Sequence, residues 1–500
     1  MGSPPVTPHG VDSFGHVSSR VNPWVVLVLV CLAQFMVILD ATVVNVALPT
    51  IQHDLGMTDA SLQWVVNAYT LMFGGFLLLG GRAGDLFGRK RVFLAGLVVF
   101  TTASLLCALA PGPSWLIMAR GLQGFGAALV SPAALSIIMA TFREGAERTK
   151  ALGLWTAIAV GGGAIGLLLG GVLVDVLSWP WIFLVNVPVG IAAFFFSRGR
   201  VPESRDELAR SGFDIAGAVA VTGGLIALVY GIVRAGELGW GSGEVLLILA
   251  LSVSLLVGFV VIELRTAEPL VRLSIFSIRT VRGANIGMFI VAMGLYGMFF
   301  FNTLFVQRVL GYSALEAGLA FVPFTAGVIA GSAASQWLIP RLGAREVPVV
   351  GLSLAVAGML VFLRLTPDSS YLPDILPGIM LVSIGLGLTF VPVTLIATSG
   401  IPVDDAGLAS GLFNTSQQIG GALGLALLSS FAARKTAEVL ATTGSNPTTA
   451  EQAQALVDGF HLAWIGCGVA FAVGAVALLV LLRRGDALVI ADDDPSPVML

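Results

Sequence analysis

The sequence predicts an all-α membrane protein with fourteen transmembrane helices, on three observations. Charged residues fill only 11% of the 500 positions and mean hydropathy is +0.94, whereas soluble domains carry about 25% charge. The apolar runs are long and unbroken, as a helix crossing a hydrocarbon core requires, and show none of the short alternating segments of a membrane β-barrel. Basic residues collect in every second connection, the signature of a chain threaded repeatedly through a bilayer.

Taken in order, the spans fall near 24–48, 61–81, 92–111, 115–139, 150–174, 180–197, 214–234, 244–263, 284–306, 315–338, 347–365, 373–398, 406–430 and 461–482. The first 22 residues are polar, and the run from Trp24 to Leu48 is too long for a signal-peptide core, so it reads as an uncleaved span. One side of the membrane receives Arg20; Arg82, Arg89, Lys90 and Arg91; Arg143, Arg148 and Lys150; Arg198, Arg200, Arg205 and Arg210; Arg265, Arg272, Arg279 and Arg282; Arg341 and Arg345; and Arg483 and Arg484. The other side receives only Arg234, Arg308, Arg364, Arg434 and Lys435, and Arg120 lies inside a span. The positive-inside rule then places both termini in the cytoplasm, as an even number of crossings requires.

Spans 5 and 13 align without gaps at an offset of 258. Gly153-Leu154-Trp155 matches Gly411-Leu412-Phe413, and Gly162-Gly163-Ala164-Ile165-Gly166-Leu167 matches Gly420-Gly421-Ala422-Leu423-Gly424-Leu425. Such repeats build many transporters, with the substrate site between them. The expected layout is a tail 1–22, a six-helix bundle 23–198, two linker helices with flanking loops 199–282, a second six-helix bundle 283–483, and a tail 484–500. The external loop 431–460 is expected to be mobile with a short helix, and the Asp492-Asp493-Asp494 run to be a solvated tail.

Four runs carry chemistry. Asp40 sits deep in the first span, where a carboxylate costs roughly 2.5–3.5 kcal/mol to insert. It therefore needs a partner or a job. In span 4, Arg120, Gln123 and Gly124 share one helix face. At 1.5 Å per residue Arg120 lies roughly 8 Å and Asp40 roughly 13 Å below the outer end of its span, depths that allow pairing. After span 2, Gly81, Asp85, Gly88, Arg89 and Lys90 form a basic loop in which glycines permit a tight turn and Asp85 can pair with Arg89 four residues on. In span 5, Gly162, Gly166 and Gly170, followed by Gly171, make a flat stripe for close helix approach.

The run after span 2 resembles the signature loop of the major facilitator superfamily, where it latches the cytoplasmic face. The span-4 run resembles that superfamily's proton-relay motif, and the span-5 run its antiporter motif, with Leu167 where the family has proline. The segment around Asp40, Trp179 to Gly190 and Phe213-Asp214-Ile215-Ala216-Gly217 are similar to the fourteen-span drug:proton antiporters of the EmrB/QacA type; Pro180 stands where that family usually has Arg. A pair of loops is also expected, but Pro340 to Arg345 after span 10 lacks an acidic residue, so the second latch looks degenerate. The resemblance implies a major facilitator fold and a proton-coupled exporter of drugs, antibiotics or related amphipathic molecules, working by alternating access. Asp40 and Arg120 would couple it to protons, and the proton gradient would take the place of any cofactor. An importer or facilitator of a small metabolite is the alternative, which Leu167 favours slightly. A non-transporting receptor is a third reading.

Polar and aromatic residues at membrane depth are the candidates for contacting substrate: Gln63, Asn67, Tyr69, Gln123, Trp155, Tyr296, Phe300, Asn302, Asn414, Gln417 and Gln418. Aromatic walls with a few hydrogen-bonding groups suit bulky amphipathic compounds. An enzyme is not expected: the four histidines do not cluster and no nucleotide-binding loop is present. Cys31, Cys107 and Cys467 lie in apolar runs as packing residues without metal-ligand spacing. Expected partners are the substrate, protons and the lipid bilayer, with no nucleic acid and a monomeric state. Arg outnumbers Lys heavily, which with the Gly, Ala and Val content suggests a GC-rich bacterial genome and hence a bacterial cytoplasmic membrane.

Overall fold

The computed structural model describes residues 22–142, 145–204, 214–266, 269–398, 406–443 and 447–483. The tails 1–21 and 484–500, Gly444-Ser445-Asn446, Arg143, Arg205, Arg210 and Phe213 lie outside the described residues, as do the expectations placed on them.

The described residues are helical throughout, without a strand. The helices are α1 (Pro23–Leu55), α2 (Asp59–Phe87), α3 (Arg89–Ala108), α4 (Pro113–Thr141), α5 (Ala146–Val176), α6 (Trp181–Leu184), α7 (Asn186–Arg200), α8 (Ile215–Leu238), α9 (Gly243–Arg265), α10 (Arg279–Leu304), α11 (Ala314–Ala320), α12 (Val322–Leu342), α13 (Glu346–Phe362), α14 (Leu376–Thr398), α15 (Ala406–Thr443) and α16 (Thr449–Leu481). Among the described residues eleven helical segments are long and apolar enough to cross a membrane, and two shorter apolar helices accompany them, Gly161–Val176 and Glu346–Phe362. α15 falls below that standard because Asn414-Thr415-Ser416-Gln417-Gln418 interrupts its apolar surface.

Prolines explain where the predicted spans break. Residues 180–197 divide into α6 and α7 because Pro188 offers no N–H to the carbonyl of Leu184. Residues 315–338 divide at Phe321, with Pro323 in the first turn of α12. The expected loop after span 2 is almost wholly helix. α2 runs through Asp85 to Phe87, and Gly88 alone, at φ +103°, turns the chain into α3. The expected mobile loop 431–460 is also mainly helix: α15 extends to Thr443 through an Ala-rich stretch without Gly or Pro, and a Thr448–Glu451 capping box starts α16.

α1 packs on α4, α5 and α7; α2 and α3 pack on α4, and α3 on α7. In the second half α10 packs on α14, α15 and α16; α13 lies between α14 and α16, and α12 lies on α14. The two groups meet where α2 lies along α15 and α5 along α11. α8 and α9 form a hairpin whose α8 edge leans on both α2 and α15. α9 turns most of its apolar surface outward, with Leu246, Leu247, Leu251, Val257 and Leu264 exposed, as a lipid-facing helix must.

Candidate functional site

Asp40 and Arg120 meet. Asp40 is 0% exposed and Arg120 1%. Arg120 Nη1 donates to Asp40 Oδ2 at 2.6 Å, while Asp40 Oδ1 accepts from Gln123 Nε2 at 2.7 Å and from Asn186 Nδ2 at 2.9 Å. Arg120 is held in turn: its Nε donates to the Val65 carbonyl at 2.9 Å, and Nη1 also reaches Gln123 Oε1 at 2.7 Å. Gln123 donates to Ser104 Oγ at 2.6 Å. The guanidinium carbon lies 4.3 Å from the Tyr69 ring centre, a cation–π distance.

Local sequence explains how α4 and α7 reach the carboxylate on α1. Gly124 brings α4 so close to α2 that a Cβ there would strike the Tyr69 carbonyl, and a Cβ at Gly126 would stand 2.6 Å from the Phe100 amide on α3. The break before α7 puts Asn186 in its first turn, pointing back at Asp40.

In front of this cluster lies a cavity of about 1790 Å³ between the two helix groups. Tyr69, Trp155, Tyr296, Phe300, Asn414, Gln417 and Gln418 line it, as do Gln34, Asn45, Phe73, Phe299, Phe324 and Phe390. Tyr296 donates its hydroxyl to Gln418 Oε1. Arg120 reaches the wall, but Asp40 does not.

Four candidates for substrate contact lie elsewhere. Gln123 belongs to the Asp40 cluster. Asn302 accepts from the indole of fully buried Trp464 at 2.8 Å. Asn67 is 0% exposed within the protein. Gln63 borders a separate small pocket with Asp59, Glu237 and Ser429.

The cavity extends to the end of the bundle that carries Arg82, Asp85 and Arg272. There Asp85 pairs with Arg89 at 3.4 Å. Glu203, beyond α7, accepts from the Lys90 amide at 3.1 Å and lies against Gly88, where a Cβ would collide with its carboxylate. Gly343, at the matching turn before α13, has the same φ of +103°, and the Glu346 carboxylate lies beside it. The second turn therefore keeps the geometry and draws its acid from the next helix, at Glu346, one position past Arg345.

At the opposite end the halves are joined. Asp175 of α5 accepts from the Ala314 and Leu315 amides that open α11, at 3.1 and 2.9 Å. Arg308 pairs with Asp59 at 2.8 Å, and Gln307 donates to the Val46 carbonyl at 2.9 Å.

The glycine stripe packs as its spacing requires. Gly162, Gly166 and Gly170 lie on Ile38, Thr42 and Val43 of α1, and Gly171 on Ala314 and Leu315. The repeat recurs in space: Gly420 and Gly424 lie on Phe289 and Met293 of α10 as Gly162 and Gly166 lie on α1. Ser104 and Glu203 carried no sequence signal for their roles, since each acts on residues distant in the chain. Asn186 stood in a noted motif, and only its polarity in an apolar run marked it.

Comparison with known proteins agrees with this architecture. The chain is 42% identical over 462 residues to the puromycin resistance protein pur8 of Streptomyces alboniger, covering 92% of this chain and 90% of that protein. It is 44% identical over 422 residues to the cephamycin export protein CmcT of Amycolatopsis lactamdurans, covering 84% and 87%. It is 34% identical to the tetracenomycin C resistance and export protein of Streptomyces glaucescens, covering 86% and 80%. Among solved structures it superposes on a bacterial homologue of the human lysosomal transporter Spinster, in an inward-facing and unoccupied conformation, with a TM-score of 0.64 at 18% identity over 96% of this chain and all of that one. The family profile matches residues 30–425, and the chain belongs to the Major Facilitator Superfamily.

Proposed function

We propose that this chain is a proton-coupled antiporter of the fourteen-span EmrB/QacA type that exports antibiotics or similar amphipathic molecules. The observation that carries the reading is Asp40, a fully buried carboxylate held by Arg120 at the edge of a large cavity. Relatives named for puromycin resistance, cephamycin export and tetracenomycin C export support antibiotic cargo. Fourteen crossings follow if α15 is added to the eleven long and two short apolar segments. The layout is then two six-helix bundles with α8 and α9 inserted, both termini in the cytoplasm and the cavity open inward, functioning as a monomer in a bacterial cytoplasmic membrane.

In this scheme substrate enters from the cytoplasmic end, and the outer contacts at Asp175 and Asp59 open when the halves rock. A proton reaching Asp40 weakens its hold on Arg120, which shifts the balance between the two states. Each proton moving inward supplies roughly 2.3 kcal/mol per 100 mV. The test is substrate-dependent proton flux in proteoliposomes under an imposed pH gradient, comparing wild type with Asp40→Asn. Flux lost in the variant supports coupled antiport. Substrate movement that ignores both pH and the substitution rejects it in favour of a facilitator.

A further inference from the structure

We infer that the cavity selects molecules whose polar end is uncharged or anionic and discriminates against cations; this rests on the cavity being the substrate route. Among the described residues its charged wall groups are Arg82, Asp85, Arg120 and Arg272. Asp85, at the mouth, is paired with Arg89. Asp40 presents no negative surface, because it is 0% exposed and its oxygens accept from Arg120, Gln123 and Asn186.

The buried pair thus turns its positive member toward the cavity. Arg120 Nε and Nη1 are engaged inside the cluster. Of the buried pair, Arg120 lines the cavity wall and Asp40 does not. Low-dielectric walls carry the field of Arg120 to whatever enters. A cation would lose hydration there and find no carboxylate at depth. Aromatic faces offer partial compensation, but Tyr69 already lies against Arg120, and Phe299 packs against Phe321 and Phe324. Neutral donors and acceptors, by contrast, meet the amides of Asn414 and Gln417 on the facing wall.

One fluorescent aromatic scaffold, prepared with a carboxylate, a carboxamide or a trimethylammonium end, tests this. Binding to the purified full chain is read by anisotropy, and uptake is read in everted vesicles. The carboxylate and carboxamide forms are expected to bind at least about tenfold more tightly than the ammonium form, a gap well resolved by titration. Asn414→Asp, which places a carboxylate in the wall with little change of shape, should shrink or reverse the gap. Equal or tighter binding of the ammonium form to wild type, with uptake intact, overturns the charge preference and leaves the exporter reading standing. A bulky maleimide on Ser410→Cys, another wall residue, provides the separate control, since the native cysteines are buried. Binding and uptake undiminished by that block overturn the cavity as the substrate route.

Discussion

Removing the guanidinium while keeping the carboxylate is the most demanding perturbation of the Asp40 cluster. In Arg120→Met, Asp40 keeps two amide donors, at 2.7 and 2.9 Å, and loses its charged partner at 2.6 Å. Opposite unit charges about 4 Å apart attract by about 4 kcal/mol at an effective dielectric of 20, before desolvation. Truncating one member of a buried pair usually costs about 3–5 kcal/mol, because the other is left charged and uncompensated. Arg120→Met should therefore lose about 3–5 kcal/mol of stability. The double variant Asp40→Asn, Arg120→Met removes the orphaned charge and should be more stable than Arg120→Met by about 1–3 kcal/mol, a coupling typical of residues in contact. Unfolding by sodium dodecyl sulfate titration in mixed micelles, followed by tryptophan fluorescence, measures all three. A single variant as stable as wild type, or a double variant less stable than the single, refutes the argument.

Gly88→Ala forces an alanine to φ +103° beside the Glu203 carboxylate, so it should lose about 1–3 kcal/mol in the same titration. Asn302→Ala leaves the Trp464 indole N–H without its acceptor and should cost about 1–3 kcal/mol of stability, while relative uptake across a substrate panel stays unchanged. Asp175→Asn weakens the cap on α11; spin labels across the outer ends of α5 and α11 should show a larger population with the halves apart. Trp155→Ala should weaken scaffold binding in the cavity without lowering stability by more than about 1 kcal/mol, since this half-buried side chain lies at the wall.

The eleven long apolar helices were legible because their runs are long and the connections are polar. The Asp40–Arg120 pair was legible too, from depth alone, since each charge needed a partner and only one lay within reach. Which way a polar residue faces was harder to read. Successive helical residues differ by about 100°, so Asn67 and Tyr69 point to nearly opposite sides, and both could not face one cavity. The same holds for Asn302 and Phe300, whereas Tyr296, Phe299 and Phe300 share a face. Asn186 reaches Asp40 from 146 residues away, and Ser104 holds Gln123 from 19 residues away, a convergence set by packing and invisible to local spacing. The helices at 431–443 and 449–460 were legible only as one short helix for the opposite reason: they leave the apolar pattern while keeping good helix formers.

The glycine rows divide the protein into parts that can change and parts that cannot. Gly166 and Gly424 fix how near α5 lies to α1 and α15 to α10, and any side chain there would push helices apart. The cavity wall in front of them is made of side chains such as Trp155, Phe390 and Asn414, which can be exchanged without moving a backbone. On the proposed route, new cargo can therefore be acquired by drift on the wall while the scaffold stays constant. Directed-evolution libraries should place their diversity on the wall and keep the glycine rows fixed.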